Sequence, residues 1–205
     1  NESAEQVFYK IYLTPFTNEQ IRKYLSKRYP VWRWKRRHRA FELVKKIPHL
    51  TARPMLLSRI DDMVDVARDF QYSYQLYEEM VAGWIKREKG FVNESDQLRD
   101  FSERLAVNLY INRGERGAER VTREEIELLG KEWGISIFPG NLSGRGLLNR
   151  DADGNFKFAH RSIMEYLFVK RAVSDMGEGV EVEWTDQMKH FLWEMVEQWV
   201  EFTNT

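Results

Sequence analysis

The sequence predicts a mainly α protein, in which a helical bundle domain is followed by a second helical unit that contains a short β-hairpin. Three observations support this prediction. Apolar residues recur at helical spacing along most of the 205 residues. At several helix starts, Ser or Thr precedes Gln or Glu by three residues, as in a capping box. An Asp-Gly pair at residues 153–154 separates two short apolar-bearing runs, which indicates a hairpin.

The first unit is a predicted helical domain over residues 17–89. Thr17 and Gln20 form a capping box for its first helix, and the basic stretch Trp32–Arg39 opens its second. Pro54 fits the first turn of the next helix, where a missing N–H costs little. The apolar residues at helical spacing are Ile21, Tyr24, Leu25, Phe41, Leu43, Val44, Ile47, Met55, Leu56, Ile60, Met63, Val64, Leu76, Tyr77, Met80, Val81, Trp84 and Ile85.

The second unit, residues 90–175, reads as helix, helix, hairpin and helix, which is the outline of a winged-helix domain. Capping boxes at Thr122–Glu125 and Ser162–Glu165 start two of these helices. Residues 176–205 are predicted to form a C-terminal linker and an amphipathic helix. The apolar stripes are Leu98, Phe101, Leu105 and Leu109, then Ile126, Leu129 and Trp133, and finally Met188, Phe191, Leu192, Met195, Val196 and Trp199.

The composition excludes several classes of protein. Hydrophobic residues make up 42% of the chain and aromatic residues 14%, which is too apolar for a disordered protein. The absence of cysteine excludes disulfides, thiol catalysis and cysteine-based zinc sites, and it fits a cytoplasmic protein. The 32 basic residues balance 32 acidic ones, and no apolar run is long enough to cross a membrane. The chain begins without Met, and we expect it to be a piece of a longer protein.

Catalytic motifs are absent from the sequence. There is no Gly-x-x-x-x-Gly-Lys-[Ser/Thr] loop, Gly-x-Ser-x-Gly elbow or His-Glu-x-x-His zinc motif. The acidic run Asp151–Asn155 suggests a calcium loop, but Phe156 stands where such a loop needs glycine and Ser162 where it needs a bidentate acid. We therefore interpret the run as a hairpin turn, and we expect this chain alone not to be an enzyme.

His160 is the main candidate for a binding residue. It follows the hairpin and stands beside the start of the next helix, whose positive end suits an anion. Imidazole is the side chain that titrates near neutrality and can donate a hydrogen bond to a phosphate oxygen. The alternative is a packed or solvated histidine at a strand–helix junction.

The segment around this histidine resembles a known family. Phe158–Leu167, with His160, Ser162, Glu165 and Tyr166, is similar to the Phe-x-His-x-Ser-Phe-x-Glu-Tyr-Phe signature that closes the winged-helix domain of NACHT-type STAND nucleotide switches. These regulatory ATPases include animal NOD-like receptors and many bacterial defence proteins. Three upstream segments resemble the family in the same order, so that the resemblance covers roughly residues 7 to 173: Ile11–Ile21, Ala52–Leu57 and Leu76–Glu88.

The resemblance implies a function for specific residues. His160 would contact the β-phosphate of ADP and hold the switch closed, while Pro54 would pack near the adenine ring. Arg53 and Arg161 are further candidates for phosphate contact. ADP or ATP, with Mg in the parent protein, would be bound mainly by a P-loop domain outside this chain. Residues 1–16 would be the end of that ATPase core and a linker.

The implied partners follow from the same resemblance. They are the protein's own N-terminal P-loop domain and an unidentified C-terminal sensor or effector domain, with possible oligomerisation of the parent. Signal transduction, antiviral defence and a bacterial source are family expectations. No membrane partner is expected.

Two other functions stay open from the residues alone. Winged helices often bind DNA, and Trp32–Arg39 interleaves basic and aromatic residues that suit phosphate contact and base stacking. Against DNA, the predicted recognition helix near Thr122–Trp133 is rich in glutamate and the total charge is neutral, so nucleic acid is not an expected partner. A ligand-free scaffold or interaction domain fits the same fold.

Overall fold

The computed structural model describes residues 16–46, 57–64, 70–88, 95–135, 147–175 and 182–203. Those residues are mainly helical, with one two-stranded antiparallel sheet among them, which confirms the mainly α prediction. The chain divides into two compact units, residues 1–65 and 66–205. The expected domain limits at residues 16, 89 and 175 stay predictions.

The first unit contains three α-helices in its described part: α1 (Asn18–Arg28), α2 (Trp34–Lys46) and α3 (Ile60–Val64). The predicted capping box is confirmed, because the Thr17 hydroxyl accepts from the Gln20 amide and the Gln20 side chain accepts from the Thr17 amide. A 3-10 turn, Val31–Arg33, leads into α2. These helices enclose a core of Ile21, Leu25, Tyr29, Ala40, Val44, Leu57, Ile60 and Val64.

A half-buried carboxylate ties α3 to the end of α1. The Arg28 guanidinium and the Tyr29 hydroxyl both donate to Asp61. Burial alone would raise the pKa of Asp61, but these two hydrogen bonds and the positive charge of Arg28 outweigh burial and lower it. The pKa of Tyr29 is raised by burial and by the same carboxylate. The contact therefore favours the ionised form of Asp61.

The second unit contains six described α-helices and the sheet. The helices are α4 (Ser73–Glu88), α5 (Ser95–Ile111), α6 (Arg113–Arg116), α7 (Arg123–Glu132), α8 (Arg161–Ser174) and α9 (Asp186–Thr203). The strands are β1 (Leu148–Arg150) and β2 (Phe156–Phe158). The predicted apolar stripes of α4 and α5 are buried, from Leu76 to Ile85 and from Leu98 to Leu109.

Helix α8 is the centre of this unit. It packs against α4, α5, α9 and β2, and every residue from Ser162 to Val169 is buried. Aromatic side chains fill the contacts: Tyr166 lies against Tyr77 and Phe191, and Phe168 lies against Tyr110 and Trp184.

The hairpin forms where the Asp-Gly pair predicts it. β1 pairs with β2 in antiparallel register, with Leu148 opposite Phe158. Asp151 Oδ1 accepts from the amides of Asp153 and Asn155, and Gly154 has φ of +88°, which favours glycine. A further bridge pairs Val121 with Phe156 on the other side of β2.

The predicted start of α8 beside His160 is confirmed, but the predicted cap of this helix is wrong. Ser162 was expected to cap the helix with Glu165, but α8 begins at Arg161 and its N-cap is His160. Ser162 instead lies buried inside the first turn, where its hydroxyl accepts from the Tyr77 hydroxyl. A Ser-x-x-Glu pattern cannot distinguish the two arrangements, because tertiary contacts decide which group the serine meets. Residues 1–15, most of the segment expected to be the end of an ATPase core and a linker, lie outside the described residues.

Helix α9 is only partly covered. Met188 and Phe191 are buried, as its stripe predicts, but Trp193 is 59% exposed and Trp199 66%. Within the described residues, no helix has the length and apolarity to cross a membrane.

A buried carboxylate on α9 caps the N-terminus of α4. Glu194 is 5% exposed and accepts three hydrogen bonds, from the Ser73 amide (2.9 Å), the Ser73 hydroxyl (2.7 Å) and the Tyr74 amide (2.9 Å). The first amides of a helix have no partner within the helix, and a negative charge is favourable at that end. Glu194 therefore joins the last helix to the first helix of the unit.

We expect Glu194→Ala to lower the free energy of unfolding by about 2 kcal/mol, because it leaves buried donors of α4 without an acceptor. Urea denaturation measures the change. Glu197→Ala is the matched control, since it removes the same charge from a less buried position of the same helix. Equal losses in the two variants would contradict the cap.

Candidate functional site

His160 is held at the junction between β2 and α8. β2 alternates buried and exposed side chains, so that Phe158 enters the core and Lys157 faces outward. The Ala159 amide donates to the Leu147 carbonyl (2.8 Å) and closes the hairpin just before the histidine. His160 is extended, with φ of −151° and ψ of 142°, as the residue that caps a helix usually is.

The imidazole of His160 is oriented by its own helix. The Ser162 amide donates to Nδ1 (3.2 Å), and the Ser162 hydroxyl lies 2.7 Å from the same atom. Because a backbone amide can only donate, Nδ1 is the acceptor, and the neutral ring carries its proton on Nε2. The ring therefore has a defined donor atom.

The serine that meets this ring is itself positioned by α4. The Tyr77 hydroxyl donates to Ser162 Oγ at 3.1 Å. Tyr77 is buried, with its ring centroid 5.8 Å from Tyr166 and 4.9 Å from Phe191. The orientation of His160 thus depends on contacts among α4, α8 and α9.

A cavity of about 460 Å³ lies beside His160, and we call it the His160 cleft. The Val121–Phe156 bridge brings the segment before Val121 next to the hairpin and to the start of α8. The cleft is lined by Ala118, Glu119, Arg120, Lys157, Phe158, Ala159, His160, Arg161 and Met164.

The lining of the His160 cleft is basic, but its arginines already have acidic neighbours. Arg120 lies 3.1 Å from Asp151. Arg161 lies 3.5 Å from Glu119 and 3.4 Å from Glu165. An anion entering the cleft must therefore share these arginines with carboxylates.

The structure brings together two of the four predicted site residues. His160 and Arg161 both line the cleft. Arg53 and Pro54 lie outside the described residues.

Sequence reasoning missed Arg120 and Lys157. The alternation along β2 is a signal that could have found Lys157. Arg120 gives no local signal, because its place depends on the pairing of Val121 with a strand far along the chain.

A second cluster of ionisable groups lies between α4, α5 and α8. Glu78 accepts a hydrogen bond from the Tyr166 hydroxyl and lies 2.8 Å from Arg99 and 3.3 Å from Lys170. Burial would raise the pKa of Glu78, but the Tyr166 hydrogen bond and the charges of Lys170 and Arg99 lower it. Burial and Glu78 raise the pKa of Tyr166 well above its ordinary value. We interpret this cluster as a structural link between three helices.

Glu103 lies near that cluster, and its pKa is shifted in the opposite direction to that of Glu78. It is 8% exposed, and burial raises its pKa despite the nearby Arg99, Lys170 and Arg171.

Among the described residues, no three His, Asp or Glu side chains are arranged to hold a metal ion. No family model, curated protein or solved structure matches this chain.

We expect His160→Ala to lower the free energy of unfolding by about 1 kcal/mol, because the first turn of α8 loses its cap. His160→Asn should restore most of this loss, since asparagine is among the best N-cap residues. Thermal and urea unfolding of both variants measure it. A loss of equal size in both would mean that the imidazole stabilises by packing and not by capping.

Tyr166→Phe should destabilise the protein more at pH 7 than at pH 3. The lowered pKa of Glu78 means that its contribution to stability is present above the unfolded pKa and is lost as the pH falls through the folded one. Removing the hydroxyl raises that folded pKa, so the variant has less stability to lose on acidification. Unfolding free energies at the two pH values give the difference.

Tyr110→Phe is the control for this experiment. Its buried hydroxyl donates to the backbone carbonyl of Glu183 (2.6 Å), which does not titrate. The cost of this change should therefore be similar at both pH values. A pH-independent cost for Tyr166→Phe as well would contradict the role given to Glu78.

Proposed function

We propose that this chain is the regulatory part of a NACHT-type STAND nucleotide switch and closes over ADP or ATP held mainly by a P-loop domain outside it. The observation that carries the proposal is the state of His160. The histidine of the family-like motif caps the buried helix through Nδ1, carries its proton on Nε2 and lines a basic cleft.

The order and pairing of elements support a winged helix as the finer fold. α5, the Val121 bridge, α7, β1 and β2 follow one another, and Val121 and β1 pair with β2 from opposite sides. In winged helices the short strand after the first helix joins the hairpin in this manner. Residues 136–146, between α7 and β1, lie outside the described residues.

The His160 cleft suits the phosphate end of a nucleotide. Its volume falls within the range of roughly 300–1,000 Å³ that small-molecule sites occupy. His160 would donate to a phosphate oxygen through Nε2, and Lys157 and Arg120 would add positive charge.

The carboxylates beside Arg161 would compete with phosphate for its guanidinium, and this competition would distinguish an open from a closed form. Arg161 would turn from Glu119 toward phosphate on closure and return to Glu119 on opening. Nucleotide favours the closed form only by the difference between its affinities for the two forms. Such a difference arises because Arg161 would contact phosphate in the closed form and Glu119 in the open form.

The remaining parts of the proposal follow from the family resemblance. The chain itself would not catalyse a reaction, and its partners would be the P-loop domain and a sensor or effector domain of a cytoplasmic protein. A role in bacterial antiviral defence belongs to the same proposal.

A scaffold or interaction domain is the second candidate, and one observation favours it. α9 exposes a row of large apolar side chains beside a groove lined by Trp184, Lys189, Leu192, Trp193 and Val196. The exposed residues are Trp193, Val196, Trp199, Val200 and Phe202. Exposed apolar patches of this kind mark protein contacts. A DNA-reading α7 is disfavoured by Glu124, Glu125, Glu127 and Glu132.

The decisive experiment uses the native-length protein. We expect the purified wild type to release ADP on denaturation, and both His160→Ala and His160→Asn to release much less. The asparagine variant keeps the helix cap, so its loss of ADP would come from the missing Nε2 donor and not from a weakened fold. Chromatography of the released nucleotide measures the amounts.

If both variants retain ADP, His160 does not contact the nucleotide, but the proposed nucleotide switch is not contradicted. Wild type without nucleotide would contradict tight ADP retention and favour the scaffold.

A further inference from the structure

Residues 31–39 form an exposed patch of aromatic and basic side chains on the first unit. Trp32 is 80% exposed and Trp34 62%. The basic members, all exposed, are Arg33, Lys35, Arg36 and Arg39, and no acidic residue interrupts them. We call these six residues the Trp–Arg patch.

The Trp–Arg patch is not needed for the core of its unit. The apolar side of α2 already packs in that core through Ala40, Val44, Phe41 and Leu43. The two indoles leave most of their surface in water. Burial therefore does not explain why tryptophan occupies both positions.

Local electrostatics also disfavours the patch. The first turn of α2 contains no acidic residue, and Lys35 and Arg36 lie in it, at the positive end of the helix dipole. Basic side chains are more favourable at the other end of a helix. A ligand of negative charge would offset this unfavourable placement.

The neutral total charge of the chain is the sum of two units with opposite net charges. Residues 1–65 contain fourteen Lys and Arg against seven Asp and Glu, and residues 66–205 contain eighteen against twenty-five. The first unit thus has a net charge of +7 and the second −7. The neutral total charge therefore does not disfavour an anionic partner for the first unit taken alone.

We propose that the Trp–Arg patch binds single-stranded nucleic acid. Trp32 and Trp34 offer rings on which bases can stack, and the four basic side chains pair with phosphates. Lys35 already lies 5.7 Å from the centre of the Trp34 ring, so a cation and a stacking surface stand side by side. Only a single strand exposes base faces, since those of a duplex are covered by their neighbours.

A membrane surface suits the patch less well. A helix that lies in a lipid interface inserts an apolar face several residues long. The apolar face of α2 is buried in its own unit, which leaves Val31 and the two indoles. Stacking uses such isolated rings, whereas insertion needs a continuous apolar surface.

The test is titration of the 205-residue chain into a fluorescein-labelled twenty-nucleotide oligothymidine, followed by anisotropy. Binding should be measurable at 50 mM salt and weaken roughly fifty-fold at 200 mM if four phosphates are contacted. Tryptophan fluorescence should be quenched in parallel. An unlabelled duplex of the same length should compete less well than the single strand.

Matched variants locate the site. Trp32→Ala with Trp34→Ala should weaken binding about tenfold or more. Trp193→Ala with Trp199→Ala, which also removes two exposed indoles, should not. Arg33→Gln with Lys35→Gln should flatten the salt dependence more than Arg22→Gln with Lys23→Gln, an equal loss of charge on the exposed side of α1.

The proposal is overturned by an absence of binding at low salt, by equal effects of the two tryptophan pairs or by equal affinity for duplex. Sedimentation with phosphatidylserine vesicles but no oligonucleotide binding would overturn it in favour of a membrane. Circular dichroism and urea unfolding check that each variant is folded. None of these measurements involves ADP, so the outcome is independent of the proposed switch.

Discussion

The burial of α8 is the constraint on which the second unit depends. From Ser162 to Val169 this helix has no exposed residue, because α4, α5, α9 and β2 surround it. Amides at the start of a buried helix cannot be solvated and need acceptors from the protein. His160 supplies one to Ser162. Glu194 does the same for α4, so that side chains from the hairpin and the last helix complete the helix starts.

This constraint gives His160 a structural role that any proposed ligand must accommodate. The two roles are compatible because they use different atoms: Nδ1 accepts from the helix, and Nε2 carries the proton. Ser, Thr, Asp and Asn are the preferred N-cap residues, and each would complete the helix start as well. Capping alone therefore does not explain the choice of histidine, which differs from these residues in keeping a second ring nitrogen that can donate.

Regular elements were predictable from sequence, and the assembly of the site was not. The stripe Leu76–Ile85 and the Thr17 cap depend on neighbours within a turn or two, which periodicity and capping patterns record. Ser162 was misread because its partner, Tyr77, is 85 positions away. The His160 cleft depends on the Val121–Phe156 bridge, which also joins distant segments. His160 and Arg161 could be predicted as site residues because they are adjacent in sequence at one helix start.

The neutral charge of the whole chain conceals a difference between the two units in the contacts that their charged side chains make. In the second unit, acidic groups are engaged in the fold: Glu78 links three helices, Glu165 accepts from Thr185, and Glu194 caps α4. These carboxylates would make a poor general surface for polyanions. In the first unit, Asp61 is engaged in the same manner, and the cations of the Trp–Arg patch are exposed to solvent near the start of α2. The excess charge of the first unit is positive, whereas that of the second is negative. The proposed nucleotide site at His160 and the proposed polyanion site at the Trp–Arg patch therefore belong to separate units and depend on separate physical causes.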